Sequence, residues 1–191
     1  MHQGSTMTDA LPRDLGEQRF AHLYRDHARG ILGYALRRCP DPEDAADVVA
    51  ETFLAAWRRL SEVPLGEEAR LWLYGTARLV LANQRRGERR RNRLSEHLRA
   101  ELRRQLPAEA AADPTGILEA LGALEEADRE LLMLVGWEEL TPAQAARVLG
   151  VTPLAARSRL HRARRRLRAR LAEDEASNSH ETELAAKEAR R

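Results

Sequence analysis

The chain has 191 residues, a formal net charge of +2 and a single cysteine. Such a length holds one large or two small domains, and one thiol excludes an internal disulfide. No apolar run approaches the roughly 20 residues of a membrane span, and the opening MHQGSTMTDALPRD lacks the basic and apolar regions of a signal peptide, so a cytoplasmic protein without membrane insertion is expected.

Aromatics make up only 4% of the chain, with 11 glycines and 8 prolines, and alternating β-branched runs are absent. The expected fold is all-α, with two small helical domains joined by a flexible linker. Residues 1–14 are expected to be a mobile N-terminus. Between Glu17 and Cys39 the apolar residues Phe20, Leu23, Tyr24, Ile31, Tyr34 and Ala35 predict one or two helices, loosened at Gly30 and Gly33.

Cys39-Pro40-Asp41-Pro42 breaks the chain, and a stronger helix is predicted from Pro42 to about Leu60, with acids in its first turn where the helix dipole favours them. On a helical wheel Ala45, Val49, Thr52, Phe53, Ala56, Trp57 and Leu60 share one side. Asp44, Asp47 and Glu51 line the other at i, i+3 and i+7, and no cation of the same helix neutralises them before Arg58. Such a row is either an ordinary wet face or a docking face for a basic partner.

SEVPLGE, residues 61–67, reads as a loop, and a third helix carries Leu71-Trp72-Leu73-Tyr74 onward through Arg86. Trp72 and Tyr74 precede Arg78, Asn83, Arg85 and Arg86, so stacking groups and phosphate binders share one segment, as capture of an unpaired strand requires. Either aromatic alone is equally consistent with a core position. The first domain is therefore placed at residues 15–92. An arginine-rich stretch and the connection PAEAAADPTG follow, which sets the linker at 93–115.

The second domain, residues 116–172, shows an apolar helix in DRELLMLVGW and ends in LTPAQAARVLGVTPLAARSRLHRARRRLRARL. Thr141-Pro142 and Thr152-Pro153 are two helix starts, because threonine caps a free N–H and proline suits the first helical position. Gly150 between them fits the left-handed end of the first helix. Ala156, Leu160, Ala163, Leu167 and Leu171 form an inward stripe; Leu154, Ala155, Ser158, His161, Arg162 and Arg165 point the other way, with Arg157 and Arg168 on the flank. This is a helix-turn-helix whose second helix combines a small, polar beginning with later cations, the pattern of a helix that enters the major groove and holds phosphates. The tail 173–191 has six acids against three cations and is expected to be disordered, or a short helix that needs a partner; its charge suggests shielding of the basic helix or docking elsewhere.

No Gly-rich phosphate loop, HExxH or other catalytic motif is present. Cys39, His22 and His27 lack the further spaced ligands of a metal site. No catalytic residue, metal or cofactor is expected.

In this order DPEDAADVVAETFLAAWRRL, ARLWLYGTARLVLANQRR, a linker and the helix-turn-helix resemble the extracytoplasmic-function sigma factors of bacteria, over roughly Leu15 to Leu171. The resemblance implies a factor that binds core RNA polymerase, directs it to promoter DNA and helps melt it. Asp44, Asp47 and Glu51 would dock on the coiled-coil clamp helices of the largest polymerase subunit. The segment from Trp72 to Arg86 would read the melted minus-ten element, with Ser61–Glu68 near the flipped base. Arg157, Ser158, Arg159 and Arg162 would read the minus-thirty-five duplex, and the linker from Arg93 to Asp113 would run toward the RNA exit path. An anti-sigma factor is a further candidate partner. The chain departs from the family pattern at Leu79, where relatives often carry asparagine, at Ala50, where glutamine is common, and at Ala155 and Ala156, which replace bulkier residues. A free-standing helix-turn-helix regulator and a protein-binding helical adaptor are the competing readings.

Overall fold

The computed structural model describes residues 13–91 and 117–188, with side chains at 14–86 and 117–173. Helices α1 (Arg13–Leu36), α2 (Pro42–Arg58) and α3 (Glu67–Arg91) belong to one compact unit; α4 (Ile117–Gly122), α5 (Glu126–Gly136), α6 (Pro142–Leu149) and α7 (Pro153–Glu188) belong to a second. Strands are absent among the described residues. The expected N-terminal mobile segment up to residue 12 and the whole of the expected linker 93–115 lie outside the described residues.

In the first unit α1 runs unbroken through both glycines. A Cβ on Gly30 would stand 3.3 Å from the Tyr74 hydroxyl, so glycine here permits a close approach of α1 to α3 and is no helix breaker. Ile31, Tyr34 and Ala35 of α1, Ala45, Val48, Thr52, Phe53 and Ala56 of α2, and Leu71, Leu73, Tyr74 and Ala77 of α3 form the core. Thr52 is fully buried and its hydroxyl donates to the Val48 carbonyl at 2.6 Å, which removes the cost of burying it.

The expected seam of α2 shifts by one position. Val48 is fully buried, whereas Val49 is only half-buried. Because α2 packs against both α1 and α3, its buried arc is wider than one stripe and takes in the residue on the other side of Ala45. At the end of that helix the rings of Phe20, Tyr24, Phe53 and Trp57 meet edge to face, with centroids 4.8 to 6.2 Å apart. Trp57, expected on the same side as Ala45 and Phe53, is 43% exposed. Val63 is buried and pins the loop between α2 and α3, and Arg19 donates to its carbonyl.

In the second unit Thr141 forms a reciprocal cap with Gln144, the Gln144 N–H donating to the threonine hydroxyl at 3.3 Å and the Thr141 N–H to the glutamine carbonyl oxygen at 2.8 Å. Gly150 ends α6 at φ 68°, the left-handed geometry that glycine adopts without a Cβ penalty. The Thr152 hydroxyl then accepts the Ala155 N–H at 3.2 Å and starts α7. Leu131, Leu134, Ala145, Ala146, Ala156, Leu160 and Ala163 fill the space between α5, α6 and α7.

Two forms are expected for the tail, disorder or a short helix that needs a partner. The backbone of α7 stays helical to Glu188, because no glycine or proline follows Pro153 and the sequence supplies many alanine, glutamate and arginine helix formers.

Candidate nucleic-acid interface

On α7 each residue advances about 100° around the axis, so the buried Ala156, Leu160 and Ala163 fix where every other side chain points. Leu154, Ala155, Ser158, His161, Arg162 and Arg165 fall on the opposite side and are exposed, Leu154 by 71%. Arg157 and Arg168 flank this face and are exposed too. Nothing of its own unit covers it, and it opens at a helix N-terminus set by a tight turn. The small Ala155 and Ser158 leave the backbone accessible, so a surface with base-edge depth could approach it closely.

Arg159 differs from its neighbours. It lies about 60° from the inward stripe, half-buried, with Nε 3.8 Å from an oxygen of Asp128 on α5. Arg166, about two turns further on the same flank, donates to the other carboxylate oxygen. Asp128 is 3% exposed. Two arginines of α7 are thus held against the scaffold, and Arg159 does not share the outward face of Arg162 and Arg165.

The α3 segment separates in the same way. From Trp72, the residues Thr76, Leu79, Asn83 and Arg86 lie within an arc of about 80° and extend along about 21 Å of helix. Trp72 and Thr76 are half-buried, and Leu79, Asn83 and Arg86 are exposed. The Arg86 guanidinium donates to the Asn83 side-chain carbonyl, and the Arg59 guanidinium sits 5.8 Å from the Trp72 ring centroid.

Tyr74, Arg78 and Arg85, expected on this face, are not on it. Tyr74 lies about 200° from Trp72, is 3% exposed and packs 5.4 Å from the Tyr34 ring, so it is a core residue and cannot stack on a base. Arg78 is half-buried, with its Nε enclosed and without a hydrogen-bond partner among the described residues. Arg85 donates to the Arg38 carbonyl at 3.2 Å, tying α3 to the end of α1. Thr76 and Leu79 complete the face instead, and the same 100° wheel that sorts the second unit would have found them.

Asp44, Asp47 and Glu51 line α2 opposite its buried arc, Asp44 half-buried and the other two exposed. In the loop after α2, Arg59 and Glu62 form an exposed ion pair at 2.5 Å. Its hydrogen bond and charge hold Glu62 below the usual carboxylate range and Arg59 above its ordinary value. His27 on α1 is lowered from its ordinary value, first by burial and then by Arg70, against the opposing pull of Asp26 and Glu67.

The second unit also carries an open apolar groove of about 390 Å³ between α4, α5 and α7, lined by Leu121, Leu132, Val135, Trp137, Leu160 and Leu167. Among the described residues no group of three or more His, Cys, Asp or Glu is placed to hold a metal ion, and no helix is long and apolar enough to cross a membrane.

Residues 23–91 match the family description "Sigma-70 region 2" and residues 116–167 match "Sigma-70, region 4". The chain is 36% identical over 155 residues to the ECF RNA polymerase sigma factor SigL of Mycobacterium tuberculosis, covering 79% of this chain and 88% of that protein. It is similar to the structure of CnrH in complex with the cytosolic domain of CnrY, with a TM-score of 0.59, 26% identity and coverage of 85% and 97%. The sigma factor RpoE of Bartonella quintana, solved with the anti-sigma factor NepR, shares the fold, with a TM-score of 0.61 over 84% of this chain and 98% of that one at 21% identity.

Proposed function

The chain belongs to the extracytoplasmic-function RNA polymerase sigma factors of the sigma-70 family, and from that premise we propose how its surfaces divide the work of promoter recognition. The helices of residues 15–92 bind core RNA polymerase and the melted minus-ten strand. Residues 116–172 bind the minus-thirty-five duplex. The linker 93–115 lets capture of one element raise the local concentration of the other.

The observation that carries this reading is the outward face of α7. Leu154, Ala155, Arg157, Ser158, His161, Arg162 and Arg165 are uncovered and lie on one side or its flank. The early residues meet base edges, and Arg162 and Arg165 hold the flanking backbone. Arg159 supports this helix through Asp128. On α3, Trp72 supplies a ring for stacking, and Asn83 and Arg86 supply polar and cationic contacts along the strand. Asp44, Asp47 and Glu51 present negative charge to a basic partner helix of the polymerase.

The factor supplies specificity and the polymerase supplies the chemistry, so this chain is not itself an enzyme and works in the cytoplasm with the transcription machinery. An anti-sigma factor is a further partner. The likeness to CnrH, solved in complex with the cytosolic domain of CnrY, and the open apolar groove beside Trp137 support that reading.

In vitro transcription with purified core RNA polymerase on fragmented genomic DNA tests the proposal. Starts that appear only when the chain is added, and that share two spaced upstream elements, are expected. Tight duplex binding by the chain alone with no new starts would favour a free-standing regulator.

A further inference from the structure

Leu79 is the one large apolar side chain of α3 that stands exposed among the described residues, at 55%. Of the other large apolar residues of that helix, Leu71, Leu73, Val80 and Leu81 are buried and Trp72 is half-buried. The core therefore does not require Leu79, and although Leu32, Leu36 and Leu54 of the same unit are exposed too, Leu79 alone of these stands on the outward face of α3. Its position is central. Thr76 and Asn83 lie about one turn away on either side, with Trp72 and Arg86 two turns away, all within the same arc of about 80°.

From this placement we infer that Leu79 is a specificity-determining residue for the melted strand, recognising a thymine by its 5-methyl group. The inference rests on the proposed role of the α3 face in holding the minus-ten strand. A leucine cannot pair with the hydrogen-bonding edge of a base and has no planar surface for stacking. The apolar feature on a base edge that it can select is the methyl at C5 of thymine. Trp72 stacks without regard to sequence, and Asn83 and Arg86 serve the edges and the backbone. Leu79 thus adds at one step a selectivity that depends on shape and desolvation and is blind to hydrogen bonding.

Replacing thymine by uracil removes the methyl and leaves every hydrogen-bonding group in place. Holoenzyme assembled with the full chain is tested for open-complex formation on promoters in which each non-template thymine of the minus-ten element is changed to uracil in turn. With the wild-type chain, one position is expected to lose about fourfold, the factor that corresponds to burying a single methyl group. Leu79→Ala and Leu79→Asn holoenzymes are expected to treat thymine and uracil alike at that position while still responding to other base changes in the element. An element with no thymine, a wild-type chain indifferent to every uracil, or a Leu79→Ala chain that keeps the full discrimination would each overturn the inference. A chain that directs no start with core polymerase would remove the sigma-factor assignment of this face and the inference with it, whereas normal initiation with no uracil effect removes the inference alone.

Discussion

Asp128→Ala should destabilise the second unit while leaving the first intact. The carboxylate is 4% exposed and faces two guanidiniums of α7, Arg166 within hydrogen-bond range and Arg159 at 3.8 Å. A hydrogen bond between charged groups contributes about 1.5–3 kcal/mol. The upper figures for broken buried pairs, about 3–5 kcal/mol, assume a stranded charge that water cannot reach. The arginine side chains here are 52% and 43% exposed, so once freed they hydrate. The expected cost is about 2 kcal/mol, within the hydrogen-bond range and below that of a stranded pair, and for a domain of this size it corresponds to a fall in melting temperature of roughly 10 °C. Arg166→Ala should cost nearly as much, and Arg159→Ala less, because 3.8 Å is beyond hydrogen-bonding distance. Trp137 is the one tryptophan of the second unit, beside Trp57 and Trp72 in the first, so its fluorescence in a background lacking the other two reports on this unit alone. A double-mutant cycle of Asp128→Ala and Arg166→Ala should show a coupling of about 1–2 kcal/mol. Additive single effects would refute the argument that this pair fixes α7 on the scaffold.

Charge reversal of the acidic row, Asp44→Lys, Asp47→Lys and Glu51→Lys together, should weaken association with core polymerase roughly 10- to 100-fold without changing helicity, since like-charge juxtaposition across an interface is costly; an unaltered pull-down would count against the docking role. Arg162→Ala should reduce use of the upstream element by about 1–3 kcal/mol if the contact is to a base edge, and by more than Arg159→Ala does; equal losses would mean that the Asp128 tether does not distinguish them. His27 supplies a pH test. Its pKa is lowered in the folded chain, chiefly by burial, so the unfolded chain takes up the proton first. Stability from this group is present above the ordinary value of 6.5 and is lost as pH falls through the lowered value. Denaturation of wild type and His27→Gln across that window should show a flatter acid limb for the variant, and identical limbs would argue against it.

The parts of this fold that were legible in the sequence are those whose cause is local. Asp41-Pro42 starts α2, Thr141-Pro142 caps α6, and Gly150 closes it with a positive φ; each signal lies within a few residues of its effect. Illegible parts depend on distant partners. Asp128 stands in the first turn of α5, in a segment legible only as an apolar helix, and its Arg166 partner lies 38 residues away. Gly30 reads as a weak point in α1 until the Tyr74 hydroxyl is seen above it. The assignment of Tyr74 to the strand-binding face has another origin. Tyr74 and Trp72 are neighbours in sequence, but two residues along a helix are about 200° apart around it, so the pair could not share a face once α3 formed. Chain proximity had stood in for spatial proximity.

Helical continuation of α7 also changes what the acidic tail can do. A tail that shields the DNA-binding face must fold back onto residues 154–165, yet a continuous helix carries its own C-terminal half away from them. From Arg165, the last arginine of that face, Asp174 and Glu175 stand about 14–15 Å away and Glu181 about 24 Å at 1.5 Å per residue, roughly two to three times the screening length of about 8 Å at physiological salt. At that range the acids barely alter the potential at the outward arginines. Deleting residues 174–191 should therefore leave the affinity of the second unit for its duplex unchanged within about twofold at 0.15 M salt. The difference should grow only when salt is lowered to about 0.01 M, where the screening length reaches about 30 Å. A large gain in affinity at physiological salt upon deletion would show that the helix breaks beyond Leu171 and that the tail does return to the recognition face.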